Sequence, residues 1–206
     1  GQETGYATLN PLDSRGLGNS PTFSEGNLRI SDGSSYDVVS TMGADSGQWY
    51  WEVEIIDVGT TICGIIDFDN NRSSQFSMSS PTVYYATTRN NGTREGNQSG
   101  GTNFTYTDGD IVAWALDVDN LKLYGYKNGA LMNNISQTET ATTHYTNNSF
   151  SANSYSAALW TLVNFGTYHF TGKFAIFRFY RSKGLSATEV QQNYDFQKQL
   201  KSKHPM

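Results

Sequence analysis

Hard oxygen donors cluster at Asp67-Phe-Asp-Asn-Asn71, with Asp67, Asp69 and Asn71 at alternate positions. Oxygen ligands spaced that way are what a calcium ion takes from a loop. Arg72 stands where an EF-hand loop has its glycine, and turn residues capping their own backbone account for the same pattern without a metal. The expectation is therefore no cofactor, with Ca²⁺ on Asp67, Asp69 and Asn71 as the alternative. The other side chains suited to a ligand are aromatic or cationic. Tyr84, Tyr85, Arg89, Arg94 and Tyr106 flank or lie within a long polar stretch, and Trp160 lies on a late apolar segment. Exposed ring faces stack on sugars and anchor protein interfaces. These six are the candidate ligand- or partner-binding residues, and rim or core packing is the competing role for each.

Catalysis finds little support. His144, His169 and His204 stand apart from any Ser or Cys in a nucleophile context, and neither HExxH nor G-x-S-x-G occurs. The carboxylate pairs Asp67/Asp69 and Asp117/Asp119 lie two residues apart, but a working acid–base pair is assembled by the fold rather than by such spacing. The chain is expected not to be an enzyme. Six N-x-S/T triplets start at Asn71, Asn91, Asn97, Asn103, Asn134 and Asn147. A chain this rich in Ser and Thr yields about four by chance, so they do not mark a glycoprotein.

The elements that must position these residues read as strands. From Gln48 to Ile55 the chain alternates. Trp49, Trp51, Val53 and Ile55 point to one face, expected to be core, and Tyr50, Glu52 and Glu54 to the other. Ile111–Leu116 is apolar on both faces, as a strand inside a sandwich must be. Asp117–Asn120 is expected to turn the chain into a return strand over Leu121–Lys127, closed by the tight-turn pair Asn128-Gly129. Further strands are expected at 27–30, 38–42, 61–67, 83–86, 157–164 and 173–180. About nine short strands with Gly- and Asn-rich turns define an all-β sandwich or jelly roll of antiparallel sheets. The stretches 69–80, 88–108 and 133–156 are rich in Asn, Ser, Gly and Thr and read as loops able to carry recognition. Near the end, Ser186 followed by Glu189 is a capping box, and Leu185 with Val190 has staple spacing. A helix is expected over about 187–201, packing Val190, Tyr194 and Leu200 against the sandwich.

Composition narrows the partners. The chain has 206 residues and a formal net charge of −5, which suits a single domain over 1–206 and argues against nucleic acid or an anionic membrane surface. No apolar run approaches the roughly 20 residues of a membrane span, and the start Gly1–Gly5 is polar, unlike a secretory signal. Cys63 is the only cysteine and sits in the apolar run Thr61–Ile66. No internal disulfide is possible, and a buried, inert thiol is expected.

Five blocks carry a family resemblance. Gly109-Asp-Ile-Val-Ala-Trp-Ala-Leu-Asp-Val-Asp-Asn through Tyr126-Lys-Asn-Gly129 resembles the central hairpin of SPRY domains. Ala7-Thr-Leu-Asn-Pro-Leu-Asp13 and Gly26-Asn-Leu-Arg-Ile30 are similar to the opening blocks of SPRY domains in bacteriophage structural proteins. Gly47-Gln-Trp-Tyr-Trp-Glu-Val53 and Val163-Asn-Phe-Gly166 resemble two further blocks, in the family's order over about residues 6–170. The ending departs from that pattern. Its strand over 173–180 and helix over 187–201 are similar to the close of concanavalin-like and laminin-G-like lectin domains. The resemblance implies a concanavalin/SPRY-like β-sandwich with one C-terminal helix. It also implies a non-enzymatic virion protein (capsid decoration, fibre or tail-associated) made in the host cytoplasm and displayed on the particle. Its partners would be other virion proteins, further copies of itself or a host-surface glycan, with no nucleic acid and no membrane insertion. The alternatives are a lectin-like adhesion module and an intracellular peptide-binding SPRY adaptor.

Overall fold

The computed structural model describes residues 7–16, 20–33, 36–44, 46–57, 61–67, 84–89, 94–96, 105–117, 119, 122–131, 155–161, 170–176 and 185–203. Their strands are β1 (Leu9–Gly16), β2 (Thr22–Ser24), β3 (Arg29–Gly33), β4 (Tyr36–Ala44), β5 (Gln48–Asp57), β6 (Thr61–Asp67) and β7 (Tyr84–Arg89). Then follow β8 (Arg94–Gly96), β9 (Ile111–Asp117), β10 (Lys122–Lys127), β11 (Ala130–Leu131), β12 (Tyr155–Thr161) and β13 (Phe170–Ile176). The helix α1 runs from Ala187 to Lys203. Two antiparallel sheets result. One has the order β1-β4-β12-β6-β7-β8, the other β11-β10-β9-β5-β13-β3-β2. The fold is an all-β, jelly-roll-like sandwich with a helix added to it, as the alternating segments and the capping box imply.

The inner face of the seven-stranded sheet follows from the alternation in β5. Trp51 pairs directly with Trp114 of β9, and Val53 with Val112; all four are buried. Gly125 of β10 lies opposite Trp114 on the other side and is also buried. A residue without a side chain there leaves room for the indole beside it. Trp49 departs from expectation. It shares the parity of Trp51 but is only half-buried, because it stands at the end of the strand, where its Nε1 donates to Ser46 O at 2.7 Å.

The other face of β5, which carries Tyr50, Glu52 and Glu54, is covered as well. Tyr50 and Glu52 are both buried, Glu52 to 2 % exposure. The cover is α1. Val190, fully buried, packs into a cluster with Tyr50, Ala113, Ala115 and Tyr126, joined by Tyr124, Leu131 and Leu185. Tyr50 Oη donates to a Glu52 carboxylate oxygen at 2.5 Å, and Gln197 Nε2 of α1 donates to the other. A buried carboxylate needs such donors; here they tie the helix to the centre of the sheet. The capping box forms as its spacing requires. Ser186 N and Oγ both donate to Glu189 Oε2, at 2.8 and 2.9 Å, and Glu189 N donates back to Ser186 Oγ at 3.3 Å. Leu185 and Val190 meet in the same apolar cluster, completing the staple.

Several boundaries differ from the sequence reading. Asn27 and Leu28 belong to a turn rather than to a strand, since Glu25, Gly26 and Asn27 all take left-handed φ (53°, 67° and 65°). A strand cannot hold three such residues in succession. The stretch 88–108 contains the end of β7 and all of β8, and 133–156 ends in β12. Strands β1, β2, β8 and β11 lack clear alternation and were not expected. In β1 the irregular register between Leu9 and Ser14 coincides with Asn10-Pro-Leu-Asp13. Leu12 is 96 % exposed there and its N–H is taken by Asn10 Oδ1 at 3.0 Å. A proline is tolerated in a strand at such an edge irregularity.

The Gly-Asp and Lys-Asn-Gly signatures bind the two ends of one hairpin together. Asn128 and Gly129 take φ of 51° and 81°, the pair of positive values that defines a type I′ turn. Asn128 Nδ2 donates to Asp110 Oδ1 at 2.8 Å, Ile111 N donates to Asn128 Oδ1 at 2.9 Å, and Lys127 Nζ lies 2.9 Å from Asp110 Oδ2. Burial by itself would raise the Asp110 carboxyl, but hydrogen bonds from Lys127, Thr107 N and Asn128, with the Lys127 charge, outweigh it and hold it below its ordinary 3.8. A carboxylate with a depressed folded value stabilises the fold above its unfolded value and loses that contribution as pH falls through the folded one. Asp110→Asn is therefore expected to cost on the order of 1 kcal/mol at neutral pH, allowing for solvent screening. The gap from wild type should close as pH drops below 3.8. Urea unfolding of both proteins across that window checks this; a gap that does not vary with pH would mean the charge is not what matters.

Candidate functional site

A groove opens where α1 begins, on the outer face of the seven-stranded sheet. Register dictates its floor. Across β5, β9 and β10, Tyr50 lies opposite Ala115 and Ala115 opposite Tyr124, while Glu52, Ala113 and Tyr126 form the next row. Two alanines between rows of large side chains leave a depression in the sheet surface. Ala115, Tyr124 and Tyr126 line it, with Leu131 of β11 and the helix approach Leu185–Ala187 adding walls. At the open end stand Gln48, Trp49, Leu116 and Asp117. The cavity measures about 390 Å³, within the range of small-molecule sites, and its mixture of aromatic rings with a few polar groups is typical of them.

The polar end is held in place by hydrogen bonds. Gln48 Nε2 donates to Asp117 Oδ2 at 2.8 Å, and Gly47 N donates to Asp119 Oδ1 at 2.9 Å. The turn expected over Asp117–Asn120 thus reaches across to the start of β5. The Tyr126 phenol is pushed above its ordinary 10.0 by burial and by the neighbouring Tyr124, so it keeps its proton at neutral pH.

The candidate residues read from the sequence lie elsewhere. Tyr84 and Arg89 begin and end β7, Tyr85 falls at a register shift against β6, and Arg94 begins β8 opposite Thr88. Trp160 of β12 stands opposite Ile62, and Ile62 opposite Arg89, so Trp160 and Arg89 share one row of the six-stranded sheet. Tyr106 is corrected outright. It is 1 % exposed, because the segment before β9 folds back through Gly109 N to Ile55 O and carries the ring inward; its face is not available for stacking. Asp67 ends β6 opposite Tyr155, while Asp69 and Asn71 lie outside the described residues, as do the three histidines and the asparagines that start the six triplets. Among the described residues no group of three or more His, Cys, Asp or Glu gathers.

Sequence reasoning missed the groove. Its signal was present in two places: an aromatic, half-polar second face on β5 opposite an Ala-rich strand, and a helix whose apolar residues needed a surface to cover.

Compared with solved structures, the fold is similar to the SPRY domain of human HERC1, with a TM-score of 0.58 and 16 % identity over 80 % of this chain and 95 % of that one. At that identity the likeness establishes a SPRY-like β-sandwich, a fold compatible with protein interaction or other binding. No family model matches the sequence, and no curated protein matches it.

Proposed function

We propose that this chain is a non-catalytic recognition domain of a tailed-phage particle, a capsid-decoration, fibre or tail-associated protein that docks on other virion proteins and presents a binding face. The observation that supports recognition is the groove itself. It is walled by an added helix on a SPRY-like sandwich, aromatic in its floor and polar at its mouth. The particle assignment rests on the sequence blocks Ala7–Asp13 and Gly26–Ile30, which resemble the phage branch of the family. The chain would be made in the host cytoplasm and work on the particle surface without a metal. Mass spectrometry of particles purified from the producing host tests this. The expected result is incorporation in a fixed stoichiometry to a major structural protein. Absence from particles, or robust polysaccharide turnover by the isolated chain, would overturn it.

A further inference from the structure

We propose that Asn128-Gly129 is a latent modification site: when its turn opens, Asn128 converts through a cyclic imide to aspartate or isoaspartate, and the product frees the end of the hairpin and loosens α1. Asparagine is among the thermally labile residues. A following glycine exposes it most, since no side chain shields the attacking nitrogen. The step balances without a cofactor. The Gly129 backbone nitrogen loses its proton to hydroxide and attacks Asn128 Cγ. The N–Cγ bond forms, the Cγ–Nδ2 bond breaks, and ammonia leaves with a proton taken from water. Water then opens the imide at either carbonyl, giving aspartate or isoaspartate.

The folded turn holds this chemistry back. Both ends of the Asn128 amide are engaged: Nδ2 donates to Asp110 Oδ1 at 2.8 Å, and Oδ1 accepts from Ile111 N at 2.9 Å. The backbone N–H of Asn128 donates to Ile111 O at 2.8 Å. The left-handed φ of both turn residues, 51° and 81°, fixes the main chain between them. Bringing Cγ onto the Gly129 nitrogen requires the amide to surrender both side-chain partners. Lys127 Nζ, 2.9 Å from Asp110 Oδ2, keeps Asp110 in place. Modification therefore proceeds through the fraction of molecules in which this end of the hairpin is open.

The product cannot close the same way. An aspartate at position 128 has no N–H to offer Asp110 and sets a second carboxylate against it. Isoaspartate also routes the backbone through Cβ and Cγ, which lengthens the turn by a carbon. Gly129 is buried, and even a methyl group on it would come within 2.8 Å of Gln191 Oε1 and 3.0 Å of Tyr194 Cβ. A lengthened turn finds no room on that side, so α1 must shift. The change reaches the groove, because Ala187 at the start of α1 lines it.

Peptide mapping of the full chain during incubation at alkaline pH, in native buffer and in urea, tests this. Chymotrypsin isolates the turn as the peptide 127–131, and the chain's other Asn-Gly pair, Asn91-Gly92, falls in a different peptide and is scored apart. Conversion at Asn128 is expected to be at least about tenfold slower in native buffer than in urea, a ratio that a local opening step supplies. Asp110→Asn removes the charge that holds the amide. It should speed conversion in native buffer about fivefold and leave the rate in urea unchanged. Chain modified at residue 128 alone, separated by its added negative charge, should unfold at lower urea concentration and exchange the amides of residues 190–197 faster than unmodified chain. Asn128→Asp should reproduce the part of that change that comes from charge. No conversion at Asn128 in urea, equal rates in urea and native buffer, a native rate indifferent to Asp110→Asn, or a modified chain with unchanged stability and exchange would each overturn the inference.

Discussion

Trp114→Ala should lower the free energy of unfolding by about 3–5 kcal/mol, and Trp49→Ala by distinctly less. Trp114 is fully buried and is the largest such side chain among the described residues. Its row across the sheet is Trp51, Trp114 and Gly125, so the indole is packed by a second indole on one side and faces a residue without a side chain on the other. Truncation leaves a void that the glycine cannot fill, and the cost of a cavity grows with the volume left unfilled. Trp51→Ala belongs in the same range for the same reason. Trp49 has the parity of this row but sits at the strand end, half-exposed and anchored through Ser46 O, so its removal leaves no closed cavity. Chemical denaturation of the three variants separates the cases. Equal losses at Trp49 and Trp114 would mean that parity alone, not position along the strand, decides burial.

That contrast also shows what the chain makes legible. Period-2 alternation identified β5 and its inner face, and unbroken apolarity identified β9, because burial on a pleated surface imposes those patterns directly. Thr61–Asp67 was read to the residue, and the capping box placed the start of α1, because caps are local chemistry. What failed depended on distant residues. The cover over Tyr50 and Glu52 has no local signal, because nothing nearby in sequence announces that Val190 and Gln197, well over a hundred residues later, pack on them. The same long-range pairing builds the groove, so its residues could not be grouped from sequence spacing. Strand β1, with its Asn-Pro irregularity, and the two- and three-residue strands carry too few residues for a period to emerge. The family-like motifs were legible as a fold signature for a physical reason: Gly47, Gln48, Asp110, Asp117, Asp119 and Asn128 hold turns and strand ends to one another. They report on architecture and say nothing of the groove residues around Tyr124.

Gly129→Ala should destabilise the protein more than Gly109→Ala, although both glycines take nearly the same left-handed φ, 81° and 84°. Left-handed geometry costs an L-residue about 1–2 kcal/mol at either site. Around Gly109 a methyl group would meet nothing within 4 Å, so strain is the whole cost there. At Gly129 it would lie 2.8 Å from Gln191 Oε1 and 3.0 Å from Tyr194 Cβ. The Gln191 side chain can swing away, giving up its 3.1 Å bond to Asp195. Tyr194 Cβ is rigidly attached to the backbone of α1, so relief requires the helix itself to move. Overpacking of that kind adds roughly 1–3 kcal/mol. Because Val190 and Gln197 flank the contact, the displacement should loosen the grip on Glu52. Amide exchange across Val190–Gln197 should then accelerate in Gly129→Ala and remain unchanged in Gly109→Ala. If the two variants lose equal stability and α1 exchanges alike in both, the helix yields to the turn at no cost, and it cannot be the fixed wall that the groove beside its first turn requires.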